Sequence, residues 1–153
     1  MLVKQLLSMK SDTAKPWIDS ATIVTITPET TLGEAATLLA EKRIGAVVVS
    51  GDGRRPEGIL SERDIVRQLG KHGTDVLSQP ISGVMTRGVQ TCTTGEDALT
   101  ILERMTAGRF RHMPVVDDDG MMLGVISIGD AVSGRLKELA AEKEALTGMI
   151  MGS

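Results

Sequence analysis

At 153 residues and 41% hydrophobic content, the chain can bury a real core as one compact domain or two small intimate ones. A net charge of −3, a pI near 5.4 and only two aromatics, Trp17 and Phe110, argue against bulk nucleic-acid binding, which wants a basic face and stacking rings. The one cysteine, Cys92, excludes an intramolecular disulfide and fits a reducing cytoplasm, no apolar run approaches the ~18 residues of a membrane span, and the start carries no secretory cleavage pattern.

Residues 1–20 read as a lead-in. Val3, Leu6 and Leu7 suit one or two amphipathic turns, Lys10 to Pro16 a loop, and Trp17 and Ile18 contacts with the body of the domain. Ile23 to Thr27 reads as a short strand. Thr31 with Glu34 resembles a capping box, and Leu32, Ala35, Ala36, Leu38 and Leu39 recur at helical spacing to about Arg43. Ile44 to Val49 is a buried strand, Gly51-Asp52-Gly53 a hairpin turn and Gly58 to Leu60 the return strand. A helix then starts near Asp64 and is expected to end at Gly70.

The pattern recurs 66 residues later. Thr25 falls on Thr91, Arg43 on Arg109, Asp52 on Asp118 and Asp64 on Asp130. An internal repeat fixes the architecture before any single element does. The second copy, with Ile81 to Arg87 as its lead-in, predicts a strand over Val89–Cys92 and a helix from about Glu96 to Ala107, stopping at Gly108. Strands over His112–Val116 and Met121–Ile126 follow, then a long helix from near Ile128. The domain boundaries expected are 1–20 for the lead-in, 21–72 and 81–134 for the repeats, and 135–153 for a C-terminal helix and tail. Leu136, Leu139, Ala140 and Leu146 make that helix a candidate dimer contact or a solvated tail.

Each half is thus β-α-β-β-α, in an α/β (α+β) fold. Each sheet has helices on one face, so the two halves are expected to pack sheet to sheet around a central cleft. Both halves carry a Ser-x-x-Asp turn between strand and helix: Ser61 to Asp64 and Ser127 to Asp130. Such a turn has two readings. It caps the helix, or it offers amide groups to a phosphate and a carboxylate to vicinal ribose hydroxyls. Two copies at a fixed offset beside basic residues favour the nucleotide reading.

At this point the chain resembles a tandem pair of CBS domains, also called a Bateman module, from about Val24 to Val132. The marks are Arg109-Phe110-Arg111-His112-Met113-Pro114-Val115-Val116-Asp117, the stretch from Gly124 to Asp130, and Ile81 to Thr86. The resemblance implies a cytoplasmic regulatory module, not an enzyme, that binds AMP, ADP, ATP, NAD(H) or S-adenosylmethionine. It implies aspartates on ribose, serine or threonine on ribose or phosphate, and main chain around the second strand framing adenine. Carried over, the first site would use Thr25, Ile44, Gly45, Ala46, Ser61, Arg63 and Asp64. The second would use Thr91, Arg111, His112, Met113, Pro114, Ser127 and Asp130. The copies differ: Arg111 and His112 stand where the first copy has Gly45 and Ala46, and Arg63 stands where the second has Gly129. A cation from one site can therefore serve a ligand in the other.

Other features carry less. Asp117, Asp118 and Asp119 are contiguous and precede Gly120, which suits a hairpin and not the alternating ligands of a calcium loop. Cys92 reads as a buried thiol, and His112 belongs to no zinc-ligand spacing. Two functions compete: an adenine-nucleotide sensor of AMP, ATP or NADH type, homodimeric and read by a partner protein, or a dimeric interaction scaffold with a vestigial cleft. An S-adenosylmethionine sensor is the variant of the first. No acid–base pair stands poised for catalysis.

Overall fold

The computed structural model describes residues 1–12 and 24–150, and the side chains of all of these but 10–12. The expected packing of Trp17 and Ile18, the strand residue Ile23 and the tail residue Met151 lie outside the described residues.

The elements are α1 (Val3–Asp12), β1 (Thr25–Ile26), α2 (Leu32–Lys42), β2 (Ala46–Val49), β3 (Gly58–Ser61), α3 (Glu62–His72), β4 (Thr86–Arg87), α4 (Ala98–Gly108), β5 (His112–Val116), β6 (Met122–Ser127) and α5 (Ile128–Ile150). Two 3-10 turns, Thr74–Ser78 and Ile81–Gly83, precede β4. The first sheet runs β1-β2-β3-β4, and the second pairs β5 with β6. In β3, Gly58 and Leu60 are buried while Ile59 and Ser61 are half-buried. That alternation turns one face to the helices and the other towards the second half, as period-2 side-chain geometry requires.

Helix boundaries follow their caps. Thr31 Oγ1 accepts from Glu34 N–H at 3.2 Å, and Asp97 Oδ1 accepts from Thr100 N–H at 2.8 Å. The chain leaves α2 and α4 through Arg43 and Arg109 in the left-handed region, with φ of 54° and 57°. Gly108 is needed for space: a Cβ there would lie 2.2 Å from the Phe110 ring. α3 passes the expected stop at Gly70 because Gly73, at φ 72°, supplies the cap and donates to Leu69 C=O at 2.9 Å. The expected strand over Val89–Cys92 shrinks to one parallel bridge, Cys92 to Val115. Its first residues turn instead to the cleft described below.

Two apolar cores form, one per half. Leu32, Val49 and Leu60 centre the first, and Ile101, Met113 and Ile126 the second. Each is completed by the segment that precedes the other copy. Ile81 N–H donates to Thr30 C=O at 2.8 Å, and Leu32 N–H to Gln79 C=O at 2.9 Å. At the matching positions of the second half, Val3 N–H donates to Glu96 C=O at 2.8 Å and Ala98 N–H to Met1 C=O at 2.8 Å. Ile81 and Val3 are both 0% exposed. Met85 then packs on Gly58 and Leu7 on Gly124, where a Cβ would come within 2.8 Å of Met85 Sδ or 2.7 Å of Leu7 Cδ2. The lead-in therefore does more than make one or two turns. It is a full helix, continuing over Lys10–Asp12 where a loop was expected, because the second half caps and buries it.

Candidate functional site

A cleft of about 340 Å³ opens between the halves. The first half contributes Gly45, Ile59, Ser61, Glu62, Arg63 and Asp64, with Arg67 one turn along α3. The chain around β4 adds Thr86, Gly88, Val89 and Gln90, and the second half adds Gly108 to His112.

The turn that opens α3 is held locally. Ser61 N–H and Ser61 Oγ donate to Asp64 Oδ2 at 2.9 and 3.0 Å, and Asp64 N–H approaches Ser61 Oγ at 3.2 Å. Both partners thus satisfy each other's end groups, as a capping box does. Asp64 is half-buried, and among the described residues its Oδ1 makes no hydrogen bond. The carboxylate has one oxygen fixed and one uncommitted among the described residues, which orients it without consuming it. The neighbouring amide is less available than expected. Glu62 N–H donates to Gly45 C=O at 2.9 Å, so the helix start does not present a bare set of amides to an anion. In the second half, Ile128 N–H donates to Arg111 C=O at 2.8 Å in the same way.

The expected residues distribute differently from the expected grouping. Gly45, Ser61, Arg63, Asp64, Arg111 and His112 line one cleft, whereas the resemblance groups Arg111 and His112 with Asp130. The cause is the approach of the starts of β2 and β5. With no side chain at Gly45, its notional Cβ lies 3.9 Å from His112 Cε1 and 3.6 Å from Glu62 Oε1. Ile44 lies in a neighbouring groove between α2 and α3 with Ile65 and Val66. Thr25 and Ala46 sit on the first sheet, paired with Val48 and Ser61, outside that lining. Thr91 lends its carbonyl to Arg104 Nη2 at 2.8 Å. Met113 is 0% exposed in the second core, and Pro114 is buried and paired with Val125. Neither is part of the cleft lining: Met113 turns into the second core, and Pro114, its neighbour on the strand, to the opposite face of β5.

Ser127 and Asp130 repeat the capping geometry: Ser127 N–H donates to Asp130 Oδ2 at 2.8 Å, and Asp130 N–H to Ser127 Oγ at 3.1 Å. They are not part of the cleft lining. By the repeat offset, the counterparts of Gly88 and Val89 are residues 22 and 23, outside the described residues.

Sequence reasoning missed Ile59, Arg67, Val89, Gln90 and Phe110 as site residues. Arg67 was legible, since it lies one helical turn from Arg63 on the same face. Val89 and Gln90 were hidden in a segment read as strand. Gln90 Oε1 accepts from Arg104 Nη2 at 3.3 Å, which leaves its amide N–H groups for other partners.

Elsewhere, Cys92 is 1% exposed, and burial pushes its thiol up to about 12, with Glu96 adding to the effect. It is an inert core thiol. Asp52 is the hub of the first hairpin: its Oδ1 accepts from Arg54 N–H, Arg55 N–H and Ser50 Oγ at 2.8, 2.9 and 2.9 Å. Those bonds, the Arg55 amide first, hold its carboxyl down at about 2. In the second hairpin the matching role falls to Asp117, whose Oδ1 accepts from Asp119 and Met121 N–H, both at 2.9 Å.

The comparisons agree with this architecture. The CBS domain family matches residues 18–71 and 81–136. A CBS-domain containing protein of Agrobacterium tumefaciens is 38% identical, with a TM-score of 0.77 over 88% of this chain and 99% of that one. A CBS domain protein of Pyrobaculum aerophilum, solved in complex with AMP, is 26% identical, with a TM-score of 0.69 over 85% and 89%. The mitochondrial CBS domain-containing protein CBSX3 of Arabidopsis thaliana is 32% identical over 130 residues, which are 82% of this chain but only 63% of that protein. Two matched copies, two cores with exchanged lead-ins and a cleft between them lead to one conclusion: the chain belongs to the CBS domain family and is a tandem pair, a Bateman module.

Proposed function

We propose that the chain is a non-catalytic regulatory module that binds an adenine nucleotide in the cleft between its halves and passes that state to a partner protein. The observation that carries this reading is the gathering of Asp64, with one carboxylate oxygen unengaged among the described residues, and the cations Arg63, Arg67, Arg109 and Arg111 in one cavity. In this reading Asp64 accepts from ribose hydroxyls, the half-buried Ile59, Val89 and Phe110 flank the base, and the arginines meet phosphate. The AMP complex of the Pyrobaculum protein supports it by likeness. AMP, ATP and NADH are the ligands of choice, with S-adenosylmethionine as the alternative. A nucleotide biases the partner-facing shape only by its different affinity for two arrangements of the halves.

The module is proposed to work as a homodimer in the cytoplasm. Leu136, Leu146 and Ile150 on α5 are 61%, 59% and 83% exposed, an apolar stripe with no cover among the described residues. No described helix is long and apolar enough to cross a membrane. The deciding experiment is a thermal-shift and calorimetric screen with AMP, ATP, NADH and S-adenosylmethionine. A saturable heat with at least one nucleotide is expected. Silence with all of them favours the scaffold reading, in which the cleft is vestigial and α5 is the working surface.

A further inference from the structure

We propose that this cleft selects nucleotides with two or more phosphates over monophosphates, and disfavours a ligand carrying a sulfonium cation. The proposal rests on the nucleotide reading above. Four arginines, Arg63, Arg67, Arg109 and Arg111, line one cavity, and all four residues are exposed. Among the described residues none of the four has a side-chain hydrogen bond or ion pair. Arg104 and Arg135, by contrast, are held by Glu96 and Glu138 at 3.0 and 2.8 Å. The carboxylates in the lining are Glu62 and Asp64, and Asp64 already has Oδ2 committed to Ser61. The lining thus holds more fixed positive than negative charge.

Charge matching decides the ligand. A phosphate monoester brings a charge of about −2 and one cluster of oxygens. A guanidinium grips such oxygens best in pairs, so one phosphate saturates before four arginines have been served. The remainder would repel one another across the cavity. A di- or triphosphate brings further anionic oxygens spaced along a chain and can engage all four. The positions suit that order. Arg63 and Arg67 lie a turn apart on one face of α3, and Arg109 and Arg111 come from the other half, at the exposed edge of a cavity whose half-buried part is Ile59, Val89 and Phe110. Two amides at the start of α3 are already used, Glu62 N–H by Gly45 and Asp64 N–H by Ser61, so the arginines carry more of the anion recognition. A sulfonium would add one more cation to an already cationic rim.

The test is a calorimetric titration of the full chain with AMP, ADP, ATP and S-adenosylmethionine, at roughly 50 and 200 mM salt. Affinity should rise about tenfold or more from AMP to ATP, and salt should erode ATP binding more than AMP binding. S-adenosylmethionine should bind more weakly than AMP. Arg67→Gln combined with Arg111→Gln should weaken ATP binding more than AMP binding and so flatten the ladder, while the melting point of the ligand-free chain holds. Equal affinity for AMP, ADP and ATP, or a preference for S-adenosylmethionine, overturns the proposal and leaves the nucleotide reading standing. No binding of any nucleotide overturns both.

Discussion

The turns at Ser61 and Ser127 are nearly the same object in two settings. Each serine amide donates to its aspartate at 2.9 or 2.8 Å, and each aspartate amide returns to the serine oxygen at 3.2 or 3.1 Å. Their surroundings differ. Asp64 faces a cavity whose opposite wall is Arg109 to His112. The repeat equivalents of that wall are Arg43, Ile44, Gly45 and Ala46, with one charge among them. A capping turn is therefore written locally, in four residues. Whether it becomes a binding site depends on what the other half sets against it.

The largest effects should be equal in the two halves. Leu60 and Ile126 are equivalent in the repeat and both 0% exposed. Truncating either to Ala should cost about 2–5 kcal/mol of stability by chemical denaturation. A loss confined to one half would mean that the cores are not independent equivalents.

Ligand binding should separate the copies. Asp64→Ala and Asp130→Ala each remove a cap and should lower stability by about 1 kcal/mol. Only Asp64→Ala should also weaken nucleotide binding, by about 1.5–3 kcal/mol in a calorimetric titration. Equal weakening by both would show that the two turns serve ligand alike.

The exchanged lead-ins give a finer contrast. A Cβ at Gly58 meets Thr86 C=O at 2.8 Å as well as Met85, whereas at Gly124 it meets the flexible end of Leu7. Backbone cannot yield as a side chain can. Gly58→Ala should cost about 1–3 kcal/mol and Gly124→Ala less, read as the difference in denaturation midpoints.

The smallest effect is on acid stability. Asp52 in the first half titrates near 2 when folded, and the Thr100 amide holds Asp97 in the second half below its usual range. Both folded values are depressed, so each contribution is complete above the ordinary carboxylate value of about 3.9 and fades as pH falls through the folded one. The melting point of the unaltered chain should drop between about pH 4 and pH 2. Asp52→Asn should shallow that drop, and so should Asp97→Asn. An unchanged acid slope in both variants would contradict the assignment.

Much of the fold was legible because it is local. The 66-residue repeat, the start of α5 at Ile128 and the strand over His112–Val116 follow from periodicity and turn chemistry. The exchange of lead-ins was not legible. Val3, Leu6 and Leu7 supply an apolar stripe, but nothing in them names the carbonyl of Glu96 as partner. The site was half legible for the same reason. Ser61, Arg63 and Asp64 announce themselves by spacing. That Arg111 and His112 would face them, and that Met113 would turn inward, depends on how two sheets meet. The use of the Glu62 amide by Gly45 also escaped, since a long-range backbone bond leaves no trace in residue type.

The central claim is that one ligand touches both halves at once, through the Ser61 turn of the first and the Arg109 to His112 wall of the second. Hydrogen–deuterium exchange with and without saturating AMP tests it most directly. The account predicts joint slowing in peptides covering Ile59 to Asp64 and Arg109 to His112, and the same joint loss of protection in Asp64→Ala. Slowing confined to one half, or centred on Ser127 to Asp130 instead, would contradict it.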